Sequence, residues 1–597
     1  MKTEKIFKIR HSLAHLLATA ILEIDKKAKF GIGPVTENGF YYDFLLSKKI
    51  EQKDLPLIEE KIKNLIKKNL KFERNKVTIN QAKKIFKKLD QPFKLELIND
   101  LQKYGTTEYE KILEIKEKKY KPKKIDYVTL YKSGDFIDLC RGGHIKKTSE
   151  IPIDCFKLTK IAGAYWRGNE NNPMLTRIYG VAFENKKQLE DYLKWEEEVK
   201  KRDHRILGQE LELFAIDENI GPGLILWLPR GAIIRQIIQD FIVDIYKKNN
   251  YQLVFTPHIT KQKLFEISGH IYYYKENMYA PINIEGENYY LKPMNCPFHL
   301  TIYKQKVKSY RDLPLRYAEL GTVYRYEKSG TLSGLTRVRG FTQDDGHIIC
   351  TFEQLPQEIE NCLSLTKLVL EKFEFKNFEV SLSIWDNNKK KKYLGSDREW
   401  QFAINSLKKS VDKIGWQYKI MKGEAAFYGP KIDVIVKDSI NRSWQISTIQ
   451  LDFNLPKKFE LSYTDEKNNP KIPYLIHRAL LGSIERFLGL LIEHYEGNFP
   501  FWLSPFQIVI IPINFNHLNY SQNIYDKLKE NYRVKIFEPT ETLSKRILLT
   551  EKEKVPYMII IGDKEINENK ISVRKHKFGD LGMMSLDKFL NLLNKEV

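Results

Sequence analysis

The sequence predicts an α+β multidomain protein, in which an antiparallel sheet with flanking helices lies between an N-terminal α+β domain and a C-terminal α/β domain. The chain has 597 residues, more than one hydrophobic core usually holds. Its middle part combines helices that carry one apolar stripe with strand-like runs that alternate apolar and polar residues. Its last part changes to strand–helix–strand–helix order. We therefore expect domains at residues 1–200, 201–500 and 501–597.

The first domain alternates helical patterns with turn-rich stretches. The segment GIGPVTENGFYYDF predicts strand and turn. Residues 51–125 are rich in Lys, Glu and Leu and are predicted mostly helical, ending in the solvated run KEKKYKPKK. Two glycine-punctuated segments, SGDFIDLCRGGH and AGAYWRG, are typical of the edge of a site. The segment KKQLEDYLKWEEEVKKRDHRILG predicts a long charged linker helix into the second domain.

The second domain begins with a strongly patterned helix. The segment RGAIIRQIIQDFIVDIYKKNN spaces its isoleucines as one helical face. A strand run, YQLVFTPHI, follows and is broken by Pro257. Further strands are predicted in LPLRYAELGTVYRYE, TRVRGFTQDDGHIIC and RSWQISTIQLDF. The third domain, from LSPFQIVIIPI onward, predicts a small α/β fold with a sheet of the parallel type.

The composition favours a cytoplasmic protein with a polyanionic partner. The 99 basic and 77 acidic residues give a net charge of +22, which suits nucleic acid, although Lys, Ile and Asn are frequent throughout, as an AT-rich genome would produce. Five scattered cysteines without a CxxC pair indicate a reducing compartment. The N-terminus lacks the apolar core of a signal peptide, and no apolar run reaches the ~18 residues that span a bilayer.

The strongest chemical signal is an arginine-rich stretch, RYEKSGTLSGLTRVRGFTQDDGHI. We predict that Arg325 and Glu327 share one strand face and that Arg337 returns on the next strand. Two guanidinium groups and a carboxylate would then meet, and arginine suits bidentate binding of phosphate oxygens. The alternative is a surface strand with scattered ion pairs. The sequence has neither a GxxxxGK[ST] nor a GxGxxG loop, so ATP would need another scaffold.

A second arginine weighs against the surface-strand alternative. The segment LLGSIERFLGLLIEH predicts an apolar helix that is entered through Gly482 and Ser483. Arg486 lies one turn into it. A lone arginine on an apolar helix face needs an anionic partner.

These segments together resemble the three motifs of the class II aminoacyl-tRNA synthetases, and the finer match is to the threonyl-tRNA synthetase family. The resemblance runs from about residue 10 to the C-terminus. It is carried by KPMNCPFH, RVRGFTQDDGHI, AFYGPKID, STIQLDF and IHRALLGSIERF. It implies that the antiparallel sheet is the platform for ATP and that Mg²⁺ accompanies the nucleotide.

The resemblance also implies roles for individual residues. Arg325 and Arg486 would hold ATP and the adenylate, Glu327 and Arg337 would orient ATP, and His270 would assist transfer to the terminal ribose of tRNA. The positions that match the amino acid and ATP pocket are Met294, Gln343, Asp345, Tyr428, Gln445, Thr448, Gln450 and Ser483.

One zinc ion per subunit is implied at Cys296, His347 and His477. The three are far apart in sequence, so spacing alone does not identify a site, and taken singly each is better explained as a packed cysteine or a hydrogen-bonded histidine. One thiolate and two imidazoles suit zinc and leave room for a substrate. Threonine would fill that room with its amino and hydroxyl groups. Serine has the same groups, so a second, hydrolytic site is needed.

The N-terminal segment supplies a candidate for the hydrolytic site. RHSLAHLLA and DLCRGGH resemble the HxxxH and CxxxH halves of the editing domain in threonyl- and alanyl-type synthetases. The residues concerned are His11, His15, Cys140 and His144, with Asp138 and Lys94 lining the pocket. We favour metal-free editing at this site. The alternatives are metal-dependent hydrolysis, and histidines that lie in the core with their hydrogen bonds satisfied.

Three departures from the family stand out. Only ten residues precede His11, so we expect the small domain that usually comes first to be absent. Gly143 stands where the family commonly has proline. The segment TETLSKRIL lacks the expected basic and glycine positions, which leaves the anticodon contacts unassigned.

Two rival functions are less favoured. A non-catalytic RNA-binding paralogue would normally lose a motif arginine or a zinc ligand, and all are present. A free-standing metallohydrolase leaves two-thirds of the chain unexplained. The expected partners are tRNA(Thr), ATP, L-threonine and a second copy of the chain, with no membrane.

Overall fold

The computed structural model describes residues 2–116, 125–386, 393–438 and 442–596. The chain divides into two compact units, Met1–Glu197 and Glu198–Val597. Most of the lysine-rich run predicted after residue 115 lies outside the described residues. None of the described helices is long and apolar enough to cross a membrane.

The first unit mixes helices with two antiparallel sheets. Its helices are α1 (Lys2–Ile24), α2 (Leu55–Lys67), α3 (Ile79–Lys88), α4 (Pro92–Tyr104), α5 (Tyr109–Lys116) and most of α6 (Lys186–Arg202), whose last five residues belong to the second unit. Its strands are β1 (Lys29–Phe30), β2 (Gly39–Leu45), β3 (Glu73–Thr78), β4 (Tyr127–Ser133), β5 (Phe136–Leu139), β6 (Phe156–Tyr165) and β7 (Met174–Ala182).

The core of the first unit lies between α1 and the sheet β1-β2-β7-β6. Leu13 and Leu17, four residues apart on α1, are fully buried with Phe40 and Phe44 of β2. The second sheet, β3-β4-β5, brings the Cys140 segment beside α1. Strand β3 lies inside the segment predicted mostly helical, because its polar residues pair with β4 rather than cover a core.

The second unit is built around one large sheet. Its first helices are α7 (His204–Glu210), α8 (Pro229–Lys248), α9 (Gln262–Ser268), α10 (His270–Tyr273), α11 (Cys296–Lys304), α12 (Leu355–Lys372), α13 (Asp397–Ile414), α14 (Leu455–Lys458) and α15 (Ile484–His494). The strands are β8 (Phe214–Ala215), β9 (Leu226–Trp227), β10 (Gln252–Leu253), β11 (Ile259–Lys261), β12 (Ile282–Ile284), β13 (Glu287–Leu291), β14 (Leu315–Tyr324), β15 (Gly340–Cys350), β16 (Phe378–Ile384), β17 (Tyr418–Lys422), β18 (Lys431–Lys437), β19 (Ser443–Asp452), β20 (Tyr463–Thr464), β21 (Pro470–Lys471) and β22 (Tyr474–Ser483).

The large sheet confirms the predicted antiparallel platform. Its order is β10-β14-β15-β22-β19-β18-β16-β17, and only the two outermost pairings are parallel. Ile234, Ile238 and Ile242 of α8 are fully buried and belong to the main core, as their spacing predicts. Strand β10 is only two residues long, so the predicted run before Pro257 is mostly not strand.

Two predicted boundaries near the arginines are wrong. Strand β14 ends at Tyr324 and β15 begins at Gly340, so Arg325, Glu327 and Arg337 lie on the loop between strands and not on strand faces. The apolar helix α15 begins at Ile484, since residues 480–483 complete strand β22. The alternation of apolar and polar residues continues past the last backbone hydrogen bond of each strand. The sequence pattern therefore could not locate where these strands end.

The C-terminal part of the second unit carries a five-stranded sheet of its own. Its helices are α16 (Leu518–Leu528), α17 (Leu543–Lys552), α18 (Asp563–Glu568) and α19 (Leu586–Leu593), and its strands are β23 (Ile508–Pro512), β24 (Val534–Ile536), β25 (Tyr557–Ile561), β26 (Ile571–Lys575) and β27 (Gly579–Met584). In the order β24-β23-β25-β26-β27, only the first three strands are parallel. The sheet is therefore mixed, in contrast to the predicted parallel type. A tight hairpin through Lys577 and Gly579, both at positive φ, reverses the chain.

Candidate active sites

One cavity of about 460 Å³ opens on the large sheet. All sixteen residues predicted for the catalytic, substrate and metal positions line it. They are His270, Met294, Cys296, Arg325, Glu327, Arg337, Gln343, Asp345, His347, Tyr428, Gln445, Thr448, Gln450, His477, Ser483 and Arg486.

Strand register explains how distant residues reach this cavity. His347 on β15 lies directly opposite His477 on β22, and His477 lies opposite Gln450 on β19. Asp345 precedes His347 by two residues and Thr448 precedes Gln450 by two, so each pair points to the same face of the sheet. Three adjacent strands thus supply the floor of the cavity.

The three predicted arginines concentrate positive charge at one end. Arg325 Nε donates to the carbonyl of Pro293 at 3.2 Å, and Arg486 Nε donates to the carbonyl of Thr336 at 3.0 Å. Burial, followed by the charges of Arg325 and Arg337, lowers the pKa of Arg486. Three guanidinium groups at one end of a cavity suit an anion of several charges, and a polyphosphate is such an anion.

Glu327 orients one of these arginines. Its carboxylate accepts hydrogen bonds from Arg337 Nε at 3.0 Å and from Nη2 at 2.9 Å. Arg339, which the sequence analysis did not single out, donates from Nε to the carbonyl of Glu327. The loop therefore orders its own guanidinium groups before any ligand is bound.

His270 lies at the mouth of the cavity in the neutral state. Its Nδ1 is 2.7 Å from Ser268 Oγ, and its Nε2 is 3.1 Å from Met294 Sδ. Burial, with the nearby His477 and Lys458, lowers the pKa of His270 to about 4. A neutral imidazole at pH 7 can accept a proton from a hydroxyl group.

Uncharged polar groups and one carboxylate line the rest of the cavity. Tyr428 donates its hydroxyl hydrogen to Gln450 Oε1 at 3.3 Å, and Asn295 Nδ2 donates to Asp345 Oδ2 at 3.0 Å. Thr448 donates to Asp433 Oδ1 at 2.9 Å, and Gln445 bonds to Thr448. Asp345 is the one acidic group here that could face an ammonium.

The predicted metal ligands converge. The Sγ of Cys296 and one ring nitrogen each of His347 and His477 lie within 4.8 Å of one another. His477 Nε2 donates to Asp452 Oδ2 at 3.0 Å, so its Nδ1 carries the lone pair that faces His347 Nε2 at 2.9 Å. Burial raises the pKa of the Cys296 thiol well above its usual value. A donor set of one sulfur and two imidazoles fits zinc, which would also deprotonate the thiol.

A second cavity, of about 450 Å³, lies in the first unit. His11, His15, Lys94, Asp138 and Cys140 line it. Cys140 Sγ is 3.5 Å from His11 Nε2 and 3.2 Å from His144 Nε2, and the ring of His144 stacks on that of His11. The N-terminal helix and the loop after β5 thus form the cluster that the two sequence halves predict.

The electrostatics of this cluster keep it uncharged. Burial is the main cause that lowers the pKa values of His11, His15 and His144, those of His15 and His144 far below the usual range. Burial likewise raises the pKa of Cys140 to about 12. Neutral imidazoles and a thiol can hold a water molecule or a hydroxyl group without attracting a free anion.

A buried ion pair closes the second cavity. The ammonium of Lys94 and the carboxylate of Asp138 are in contact, and His15 Nε2 lies 3.5 Å from Asp138 Oδ2. Tyr42, which the sequence analysis missed, donates to Asp138 Oδ2 at 2.7 Å and accepts from Lys94 Nζ at 3.0 Å. The signal for Tyr42 was weak, since alternation in GFYYDF places it inward but does not name its partner.

The loop between Cys140 and His144 depends on glycine. Gly142 and Gly143 have φ angles of 108° and 92°, and the Gly142 N–H donates to Cys140 Sγ at 3.3 Å. Proline fixes φ near −65°, so the residue that the family commonly has at position 143 could not adopt this turn.

A third histidine cluster is structural. His204 Nδ1 is 2.7 Å from Glu493 Oε1, and its Nε2 accepts the backbone N–H of Leu335 at 3.1 Å. Both ring nitrogens are used within the protein, so no lone pair is left for a metal.

The chain matches three protein families. Residues 276–495 match the tRNA synthetase class II core domain (G, H, P, S and T), and residues 507–596 match the Anticodon binding domain. Residues 128–179 match the Threonyl and Alanyl tRNA synthetase second additional domain. The core match contains the lining residues of the first cavity from Met294 to Arg486, whereas His270 lies just before it. The match to residues 128–179 contains the Cys140 half of the second cavity.

Individual relatives are similar over nearly the whole chain. Threonine--tRNA ligase of Aquifex aeolicus is 47% identical and aligns with 100% of this chain and 90% of its own length. That of Borreliella burgdorferi is 46% identical, over 99% of this chain and 97% of its own. Among solved structures, the RNA binding domain of threonyl-tRNA synthetase from Cryptosporidium parvum is 37% identical with a TM-score of 0.62, covering 66% of this chain and 98% of that one.

Proposed function

The chain belongs to the threonyl-tRNA synthetase family of class II ligases, and from this premise we propose how its two cavities divide the work. The protein is a threonine--tRNA ligase: it activates threonine with ATP, releases pyrophosphate, and transfers the threonyl group from the adenylate to tRNA. One observation carries the assignment of roles, namely that all sixteen predicted residues line one cavity. The boundaries 1–200, 201–500 and 501–597 would then separate editing, catalytic and anticodon-binding domains.

Activation takes place at the arginine end of the first cavity. Attack of the threonine carboxylate on the α-phosphorus forms the acyl–phosphate bond as the bond to pyrophosphate breaks. Arg325, Arg337 and Arg486 stabilise the charge that develops on the phosphate oxygens, with Mg²⁺ bound to ATP. Because Glu327 already holds Arg337, little reorganisation is needed.

Amino acid selection falls to the metal end. A zinc ion held by Cys296, His347 and His477 would supply a Lewis acid for the amino and hydroxyl groups of threonine. Asp345 would accept a hydrogen bond from the same amino group of the substrate, and Asn295 orients the Asp345 carboxylate. Valine lacks the hydroxyl group and is rejected by a site that must bind one, by a factor on the order of 10⁴.

Transfer to tRNA needs a base beside the adenylate. His270 is neutral at pH 7, and its Nδ1 is held by Ser268. Its Nε2 contacts only the soft Met294 sulfur, which an incoming ribose hydroxyl can displace. We assign to His270 the removal of the proton from this ribose hydroxyl group.

Hydrolytic editing falls to the second cavity. Serine keeps both groups that zinc would bind and lacks one methyl, a difference of only ~1–3 kcal/mol, too little for translation. The neutral His11, His15, His144 and Cys140 would hold the attacking water and the terminal ribose of seryl-tRNA. Tyr42, Lys94 and Asp138 would fix the base of the pocket.

Metal-dependent editing is the second candidate, because all four donors of the HxxxH and CxxxH halves also lie within 4.8 Å of one another. Metal content separates the two. Metal-free editing predicts one zinc per chain, lost in Cys296→Ala and kept in Cys140→Ala. Two zinc ions per chain, one of them lost in Cys140→Ala, would favour the metallohydrolase.

A homodimer is proposed from the edge of the large sheet. Strand β10 is its outermost strand, and the neighbouring Phe255 is 86% exposed, with Leu253 and Ile259 also exposed. Exposed apolar side chains near a sheet edge are typical of an interface. We place the protein in the cytoplasm, where its tRNA substrate is used.

The experiment that tests the function is ATP–pyrophosphate exchange with a panel of amino acids. We expect exchange with threonine, weaker exchange with serine, and almost none with valine. Exchange driven by proline or alanine, but not threonine, would overturn the proposal. Hydrolysis of seryl-tRNA, lost in the double variant His11→Ala/His15→Ala, tests the second cavity separately.

A further inference from the structure

A third histidine contacts the metal-ligand cluster without belonging to it. His299 lies one turn after Cys296 on α11 and is fully buried. Its Nδ1 is 2.8 Å from His347 Nδ1, and its Nε2 is 3.1 Å from Glu319 Oε2. The three residues form a continuous chain of hydrogen bonds that ends at a predicted ligand.

The protons in this chain can be assigned from the acceptors. A carboxylate only accepts, so His299 Nε2 carries a hydrogen and donates it to Glu319. With one proton per ring, His299 Nδ1 is then the acceptor, and His347 must donate from its own Nδ1. The lone pair of His347 is thereby placed on Nε2, the atom that faces His477.

Glu319 is anchored so that it keeps its charge and direction. Its Oε1 accepts the backbone N–H of Thr256 at 2.9 Å, and Oε2 accepts the Thr256 hydroxyl at 2.8 Å. The buried ammonium of Lys292 lies 3.4 Å from Oε1. Strand β14, which carries Glu319, is itself in register with β15, which carries His347. The anchor and the ligand therefore belong to one rigid sheet.

His477, the other histidine ligand, has a simpler arrangement. Its Nε2 donates directly to Asp452. In the His347 branch an imidazole is interposed between the carboxylate and the ligand. Both branches end with a lone pair on one of two nitrogens that lie 2.9 Å apart, so both can bind the same cation.

We propose that His299 and Glu319 are positioning residues that fix the tautomer and orientation of His347 for metal binding. The inference rests on the zinc site proposed above and adds two residues to which the resemblance assigned no role, although His299 is the last residue of KPMNCPFH. Neither residue is a metal ligand. Both ring nitrogens of His299 already form hydrogen bonds, and both oxygens of the Glu319 carboxylate accept hydrogen bonds from Thr256. The local signal in the sequence was the C-x-x-H spacing of Cys296 and His299, which alone would have suggested a ligand pair.

Matched variants of the full-length protein separate positioning from packing. His299→Leu fills the space and removes both hydrogen bonds. His299→Gln can still donate an amide N–H to Glu319 and accept from His347, so it should rescue. His299→Asn keeps the polarity but is too short to reach both partners. His204→Leu removes a different buried histidine–carboxylate pair, outside the metal cluster, and is the control.

The readouts are zinc affinity, by competition with a chromogenic chelator, and the visible absorption of the cobalt(II)-substituted protein. Circular dichroism first establishes that each variant is folded. We expect His299→Leu to weaken zinc binding by about 10–100-fold and to alter the cobalt spectrum. His299→Gln should restore most of both, and His204→Leu should change neither.

Several outcomes would overturn the positioning role. One is unchanged zinc affinity in folded His299→Leu, and another is an equal loss in the Gln and Leu variants. Equal weakening by His204→Leu would mean that zinc binding merely follows stability. If His299→Leu does not fold, the comparison of His299→Asn with His299→Gln decides in the same way. If the wild-type chain takes up no zinc, the proposed metal site fails as well, whereas tight zinc binding in all variants rejects only the positioning role.

Discussion

His347 Nε2 and His477 Nδ1 lie 2.9 Å apart on neighbouring strands, in direct register. The hydrogen bonds to His299 and Asp452 leave each of these atoms with a lone pair. Two lone pairs at this distance repel unless a cation or a proton lies between them. The cluster is therefore complementary to an electrophile. Removing one of the predicted metal ligands should change which amino acid the enzyme selects.

Cys296→Ala tests that consequence. The variant keeps the arginines, so ATP binding should persist. Selection of threonine over valine, about 10⁴-fold at a site that binds the hydroxyl, should collapse. Pyrophosphate exchange with each amino acid, beside ATP binding by calorimetry, measures the two effects. Cys350→Ala, a buried cysteine outside the cluster, is the control. Full retention of threonine selectivity in Cys296→Ala would contradict the role.

Arg486→Met should strongly reduce activation without destabilising the apo protein. Burial and the charges of Arg325 and Arg337 disfavour the charged form of Arg486 in the fold, which its lowered pKa reports. Replacing it with an apolar side chain relieves that repulsion while losing one bond to Thr336. We expect exchange to fall by roughly 10²–10³-fold, with an equal or higher midpoint of thermal unfolding. A marked drop in that midpoint would show that Arg486 is primarily structural.

Gly143→Ala should impair editing more than its strain alone explains. At φ = 92° an alanine costs ~1–2 kcal/mol, and its Cβ would lie in ordinary van der Waals contact with His11, 3.6 Å from Nδ1, so a methyl group would stand beside a predicted editing residue. Gly168→Ala is matched, because φ there is 68° and nothing lies within 4 Å. Deacylation of seryl-tRNA should slow only in Gly143→Ala, with similar losses of stability in both. Equal deacylation rates would place the loop outside the editing site.

The sequence predicted the elements and residues that form each site better than the residues that hold those side chains in place. The isoleucine spacing of α8 and the alternation of β14, β15 and β19 identified the platform, because periodicity reports burial directly. The cavity residues came from the resemblance, since nothing local relates Cys296 to His477. Tyr42, His299 and Glu319 were missed because each acts through a partner that is distant in sequence. The β26–β27 hairpin was missed because β27 contains two glycines and does not alternate apolar and polar residues, and because its turn has positive-φ residues other than a plain glycine pair.

Acid should destabilise the first unit through its histidines. His15 is buried, and its pKa lies well below 6.5 in the folded chain. The unfolded chain therefore binds more protons below pH 6.5, so stability is complete above that pH and falls as pH decreases. The slope is about 1.4 kcal/mol per pH unit for each such histidine. The loss of stability is measured by hydrogen exchange of peptides within residues 2–116 at pH 7 and pH 5.5. His15→Gln should show a shallower pH dependence than wild type, and an identical dependence would contradict the assignment.

Tyr42→Phe isolates the hydroxyl group that joins Lys94 to Asp138. Without it, Asp138 Oδ2 loses its 2.7 Å donor and Lys94 loses one acceptor, both in a buried environment. Hydrogen bonds to charged groups contribute ~1.5–3 kcal/mol, so the first unit should lose about that much stability. Asp138 also lies beside His15. A misoriented Asp138 carboxylate should therefore disturb the histidine cluster and slow seryl-tRNA hydrolysis. Threonine activation should stay at the wild-type rate because it depends on the other cavity. Tyr41→Phe removes a hydroxyl from the opposite face of the same strand and should leave editing unchanged. If Tyr42→Phe edits as fast as Tyr41→Phe, the Tyr42–Lys94–Asp138 network supports the fold and not the reaction.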